Sequence, residues 1–272
     1  MSKFIRFMVK LSAFITFSIL FFIIVYILIK GVPYLKPSLF SLEYNTENVS
    51  LFPAIISTII MTFLSLLIAA PIGIFTGFYL VEYSSSENRL VKIIRLTTET
   101  LSGIPSIAYG LFGLLFFVTY LGWGFSILAG AFTLAIMILP LIIRATEEAL
   151  LAVDDSLREA SFGLGAGKLR TVFKIVLPVA MPGILSGIIL GVGRIVGETA
   201  ALVYTAGTVP QIPKNLFSSA RTLSIHMYAL SSEGLYTNEA NATAVILLIV
   251  IIGINGLSSY LTKKLLKGNI NG

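Results

Sequence analysis

The sequence predicts an all-α integral membrane protein with six transmembrane helices, and three observations carry that expectation. Of 272 residues, 56% are hydrophobic and 12% charged, with a mean hydropathy of +0.95, whereas soluble domains are about one-quarter charged. Windows of about 19 residues locate apolar stretches at 11–30, 53–82, 101–121, 125–143, 178–204 and 241–262. Basic residues then collect on alternate sides of those stretches. The N-terminus (Lys3, Arg6, Lys10), the segment 83–100 (Arg89, Lys92, Arg95), the segment 144–177 (Arg144, Arg158, Lys168, Arg170, Lys174) and the tail (Lys263, Lys264, Lys267) hold fourteen of the nineteen Lys and Arg. Both termini in the cytoplasm would put all fourteen on that face, as the positive-inside rule requires. The net charge of +6 therefore reports membrane orientation, not a nucleic-acid partner.

Residues 1–272 read as one transmembrane domain, without a visible internal or inverted repeat. The first span has a basic start and an apolar core from Leu11 to Ile29 with no A-x-A-like site after it, so an uncleaved anchor is expected. Tyr120 and Trp123 occupy a short outer turn, where amphipathic rings anchor to the interface. The chain has no cysteine, which excludes disulfides, thiolate metal sites and a cysteine nucleophile. "GLGAGKLR" lacks the spacing of a nucleotide-binding phosphate loop. No pattern of residues suggests catalysis or a resident cofactor. His226, the sole histidine, lies in an outer stretch read as amphipathic, with no second metal ligand nearby.

Pro105, with Gly103 and Gly110, predicts a bend in the third span. A freed backbone is tolerated there only if protein or a cavity covers it, so Ser106 and Tyr109 either line a path or pack near the kink. Arg144, where the fourth span ends, is read first as snorkelling to the membrane edge and second as a path residue.

The fifth span, "GILSGIILGVGRIVGETAALVY" at 183–204, carries Arg194 and Glu198 inside an apolar run. At 100° per residue, Gly183, Gly187, Gly191, Arg194 and Glu198 all fall within an arc of about 80°. Small residues at that spacing admit a neighbouring helix, so the face points inward. Four residues apart, Arg194 and Glu198 are expected to pair. One reading is a packing ion pair; the other is an oxyanion contact, with Arg194 supplying a planar fork of donors and Glu198 orienting it. In the second reading Glu198 also accepts a hydrogen bond from a protonated oxyanion such as hydrogen phosphate.

Between the fourth and fifth spans, the loop 145–178 carries helix signals. Ser156 with Glu159 reads as a capping box opening a short helix, which Gly163, Gly165 and Gly167 end. Leu157, Ala160 and Leu164 repeat at helical spacing, and Phe162 projects elsewhere, which implies a cytoplasmic partner.

The run "EASFGLGAGKLRTVFKIVLP" at 159–178 resembles the EAA loop of ABC-importer permeases. Glu159, Ala160, Gly165, Ile175, Leu177 and Pro178 match in register, with Ser161 in place of the second alanine. "GRIVGETAALVYTAG", "LSGIPSIAYGLFG", "LPLIIRATEEAL" and "RTLSIHMYAL" are similar, in that family, to the phosphate-specific (Pst) permeases, and more to the PstA-type than the PstC-type subunit. Ala201 stands where that family has a proline after Glu-Thr-Ala. The resemblance implies a MetI-like fold in a prokaryotic plasma membrane and a non-catalytic subunit of a phosphate importer. It also implies a PstC-type second permease, a PstB-type ATPase dimer using ATP-Mg, and an external PstS-type phosphate-binding protein. Arg194, Glu198 and Thr199 would then lie in the substrate path, and Glu159, Ala160, Ser161, Phe162 and Gly165 would contact the ATPase. An autonomous ion-coupled anion carrier or channel, and a permease for another oxyanion, are the alternatives; an autonomous carrier needs no ATPase socket.

Overall fold

The computed structural model describes residues 3–84 and 88–270. The side chains of Lys3, Lys263, Lys264 and Lys267, counted above in the charge distribution, lie outside the described ones. Helices make up the fold: α1 (Lys3–Gly31), α2 (Phe52–Phe78, continued by a π turn, Tyr79–Tyr83), α3 (Arg89–Ser102), α4 (Ser106–Gly113, continued by a π segment, Leu114–Tyr120), α5 (Ile127–Leu151), α6 (Asp155–Gly163), α7 (Lys168–Thr171, leading through a π turn, Val172–Val176, into α8), α8 (Leu177–Gly197), α9 (Ala200–Val203), α10 (Leu223–Glu233) and α11 (Thr237–Ile270). No strand occurs among the described residues.

Among the described residues, five helical stretches are long and apolar enough to cross a bilayer: Phe4–Tyr34, Phe52–Tyr83, Ile127–Leu151, Lys168–Gly197 and Thr237–Leu257. The third expected span is different. α3 and the 106–120 helix meet at 103°, because Gly103, Ile104 and Pro105 leave the helix between them. Pro105 has no N–H to continue the ladder and disfavours helical backbone at Ile104. The expected window 101–121 is thus corrected to a short helix of about 22 Å, with Leu101 and Ser102 closing the amphipathic helix before it. The fourth span also runs to Leu151, not 143, because "RATEEALL" satisfies its backbone by continuing the helix despite its charges.

α5 is the central element, packed on α2, α3 and α8 and carrying the largest share of buried side chains. It contributes Leu134, Met137, Ile138 and Ile142 to a core shared with Met61, Ile195 and Leu202. The α5–α8 contact uses the expected small-residue face. A Cβ on Gly183 would stand 2.6 Å from the Ala149 Cβ, and one on Gly187 would collide with Ala145. The polar residues of α2 cost little, since Ser57, Thr58, Thr62 and Ser65 each donate to the carbonyl four residues back. α1 packs against α11 and is otherwise exposed.

At the opposite end of the bundle from α6, α10 is not amphipathic as expected: Leu223, Ser224, Ile225 and His226 are all buried. Thr222 caps the helix, and the Leu223 amide donates to Thr58 Oγ1 at 2.9 Å. Trp123 is likewise more than an interfacial anchor, stacking on Phe117 at 5.3 Å and meeting Phe132 edge-on at 5.4 Å.

Two predictions follow from this packing. Gly187→Leu is expected to destabilise the chain by about 1–3 kcal/mol through overpacking against Ala145, read as a lower melting temperature in detergent. His226 is pushed down from 6.5 to about 4 by burial and then by the Arg221 charge, against the Val49 carbonyl, although neither ring nitrogen makes a well-formed hydrogen bond among the described residues. Its folded value lies below its unfolded value, so the neutral ring contributes fully above pH about 6.5 and that contribution, about 3 kcal/mol, is lost as pH falls toward 4. His226→Gln should flatten the melting temperature across that window.

Candidate substrate path and coupling surface

The helix carrying Arg194 stops before Glu198. Residues Leu177–Gly197 are helical, Glu198 is extended (φ −73°, ψ 129°), and Thr199 leads into α9. The expected i,i+4 pair is therefore not formed. Glu198 leaves the α8 face, and its Oε1 accepts the Ala201 amide at 3.0 Å, capping α9. Its carbonyl accepts Ser224 Oγ at 2.5 Å, so the break is held from both sides. Glu198 is 9% exposed; its other carboxylate oxygen takes no hydrogen bond among the described residues and is not sealed off. Arg194 is half-buried and has no hydrogen-bond or ion-pair partner among the described residues.

The second break faces the first. α4 packs against α9, closely enough that a Cβ on Gly110 would lie 2.7 Å from the Ala201 Cα. Tyr109 is buried, donates its hydroxyl to the Leu101 carbonyl at 2.7 Å across the Gly103–Pro105 break, and lies within electrostatic reach of Arg194. Ser106 opens α4 and is half-buried. Arg194, Glu198, Thr199 and Tyr109 thus gather where two broken helices meet. An apolar groove of about 380 Å³ between α2, α8 and α11 includes Val192 and Val196. These lie on nearly the opposite face of α8 from Arg194, so that groove does not include Arg194.

At the other end, α6 begins two residues earlier than the capping-box reading placed it. Asp154 is the N-cap and its side chain accepts the Ser156 amide at 2.8 Å. Gly165 takes φ +80° and turns the chain after the helix. Glu159, Ala160 and Phe162 are exposed, and Leu164 is 89% exposed. A groove of about 400 Å³ runs past Leu157, Ala160, Leu164, Gly165 and Arg170. Ser161 does not offer its side chain to this surface: it is buried, with its hydroxyl 2.8 Å from that of Thr171, because α6 turns that face toward α7.

Residues 69–268 match the family described as the inner membrane component of binding-protein-dependent transport systems. The chain belongs to that family. It is 34% identical over 93% of its length, and 92% of the relative's, to the probable ABC transporter permease protein YqgI of Bacillus subtilis. It is 41% identical to the phosphate transport system permease protein PstA of Pasteurella multocida, over 65% of this chain and 63% of that one. The chain thus spans less than two thirds of that relative's length. Among solved structures, a bacterial alginate ABC transporter in complex with its periplasmic protein superposes with a TM-score of 0.68, at 18% identity over 96% of each chain. This likeness shows the fold, which is MetI-like and multi-pass.

In this transport component Arg144 engages α3. Its guanidinium pairs with Glu99 of α3 at 3.1 Å, both side chains substantially exposed. It sits level with the Gly187–Ala145 contact, about 10 Å along α8 from Arg194. Reading the sequence missed Ser224, which braces the Glu198 carbonyl, and Glu82, which pairs with Arg158 at 2.8 Å. Ser224 gave no signal, since its partner is a carbonyl 26 residues away. Glu82, an acid at the end of an apolar run, did carry one.

Since Glu198 caps α9 through one oxygen, Glu198→Ala should cost about 1 kcal/mol of stability. Glu198→Gln, which keeps an acceptor, should stay within about 0.5 kcal/mol of native; thermal unfolding of both variants in detergent checks the difference.

Proposed function

We propose that the chain is a permease subunit of an ATP-driven importer of inorganic phosphate, forming the translocation path with a second, PstC-type permease. The observation that carries this reading is Arg194: a guanidinium with no partner among the described residues, in a membrane helix, near a carboxylate held elsewhere. An unpaired charge in a span is costly, about 2.5–3.5 kcal/mol at a helix centre on the insertion scale, and an oxyanion arriving in the path would offset that cost with charge-assisted bonds. The similarity to PstA permeases supports phosphate as that anion. Glu198 supports it chemically, because its open oxygen accepts a hydrogen bond from hydrogen phosphate but only repels sulfate.

In this reading the α6 surface, with Glu159, Ala160, Phe162, Leu164 and Gly165, docks into a cytoplasmic PstB-type ATPase dimer, and a PstS-type binding protein delivers phosphate outside. ATP-Mg belongs to the ATPase; this chain performs no covalent chemistry. The protein lies in a prokaryotic plasma membrane with both termini cytoplasmic. An autonomous proton-linked carrier finds no support in the geometry, since Glu198 serves the Ala201 amide instead of pairing with Arg194.

The test is phosphate uptake by proteoliposomes containing the whole assembly. Arg194→Gln should lower uptake about 10- to 100-fold, the worth of one or two hydrogen bonds to a charged group, with assembly intact. Unchanged uptake would place the anion site elsewhere. Glu198→Gln should narrow the preference for phosphate over sulfate; an unaltered preference removes Glu198 from substrate selection.

A further inference from the structure

The side chain of Arg158 uses every donor it has. Its Nε and one terminal nitrogen both donate to Glu82 Oε1, at 3.1 and 2.8 Å. That terminal nitrogen also reaches the Leu150 carbonyl at 2.9 Å, and the other reaches the Val153 carbonyl at 2.8 Å and Asp155 Oδ1 at 3.0 Å. Five N–H groups therefore meet four acceptor atoms, Glu82 Oε1 taking two of them. The pair is partly buried, Arg158 being 14% and Glu82 8% exposed at the side chain. Leu150 and Val153 stand at the end of α5, where helix carbonyls lack intrahelical partners and attract a cation. One planar group thus joins α6, the end of α5 and the π turn that ends α2.

The same π turn is held a second time. Lys168, at the start of α7, lies 5.0 Å over the Tyr83 ring, and Phe78 stacks on Phe173 at 6.1 Å. Residues 78–83 are therefore fastened both to α6 and to the segment that becomes α8. Burial alone does not explain the arrangement, because a buried ion pair seldom stabilises a fold more than apolar packing of the same volume. What it provides is a fixed angle: a guanidinium fork bound on all sides cannot pivot as a lysine ammonium can.

We infer that Arg158 and Glu82 are positioning residues for energy coupling, locking the ATPase-facing helix α6 to α2 and α5 so that displacement of α6 moves those spans as one body. This rests on the ATPase-driven reading above, with Arg158 and Glu82 outside both the anion path and the exposed docking surface. Loss of the fork should leave docking and ATP hydrolysis in place while the motion is no longer transmitted.

The experiment uses the full assembly with Glu82→Gln and Arg158→Lys, two variants that keep the volume and, for the lysine, the charge. Uptake and ATP hydrolysis are measured together. Spin labels at exposed Ser156 of α6, Phe75 of α2 and Tyr120 give distances with and without nucleotide; the absence of native cysteines makes these sites unique in this chain. In the native chain, nucleotide should change the distances from Ser156 and from Phe75 to Tyr120 together, leaving Ser156 to Phe75 fixed. In the variants Ser156 should move alone, and ATP consumed per phosphate should rise about three- to tenfold. A Ser156–Phe75 distance that stays fixed in both variants, with an unaltered ATP-to-phosphate ratio, overturns the inference. Loss of assembly in both variants also overturns it, assigning the pair to folding. If nucleotide moves neither label in the native assembly, the ATPase-driven reading itself fails and takes this inference with it.

Discussion

Backbone N–H and C=O groups inside a bilayer have no water to bond, and this constraint organises the whole molecule. It explains why helices carry the fold, and it makes every interruption in a span an element that the rest of the structure must cover. The two main interruptions, at Gly103–Pro105 and at Glu198–Thr199, cover one another. Tyr109 bonds the Leu101 carbonyl across the first, while the Glu198 carboxylate and Ser224 hydroxyl satisfy the second. Gly110 admits Ala201 between them. Two discontinuities that would each be costly alone share one site, and the side chains they re-aim are the ones with polar chemistry.

The break at Glu198 also decides the electrostatics. On a continuous helix, Arg194 and Glu198 would be neighbours, and an exposed pair of this kind is worth about 0.3–0.5 kcal/mol. Ending α8 at Gly197 commits the carboxylate to the Ala201 amide and leaves the guanidinium to whatever enters. The separation suits the proposed anion site: a cation already neutralised by its own chain would gain little from a ligand.

Most of the fold was legible in the sequence because lipid imposes a simple code. Length and apolarity pointed to the spans, and small residues at four-residue spacing marked the face of α8 that admits a neighbouring helix, which is α5. The failures have physical causes. The Arg194–Glu198 pairing assumed that an apolar run without proline stays helical, yet a carboxylate just before Thr199 is itself able to cap a new helix. The α6 cap was placed on Ser156 because Asp154 competes for the same role two residues earlier, and local pattern does not rank the two. Of the residues expected in a path, Arg194, Glu198, Thr199 and Tyr109 come together, whereas Arg144 turns to Glu99, a partner on another helix. Tertiary partners of that sort, like Arg158 with Glu82, leave only an isolated charge in the sequence.

Two arginines show how that ambiguity is resolved by geometry. In the sequence Arg158 and Arg194 each stand as a basic residue with a glutamate close by, Glu159 for the first and Glu198 for the second. In the structure the first has all five donors engaged by its own chain, and the second has none engaged among the described residues. A guanidinium saturated by protein carbonyls and carboxylates has nothing to offer a ligand, so its contribution is rigidity. One held half-buried without partners contributes little to rigidity, since nothing fixes its orientation, and its donors remain available. The count of occupied donors thus tells the two apart: at one end of the bundle the side chain is suited to rigidity, at the other to binding.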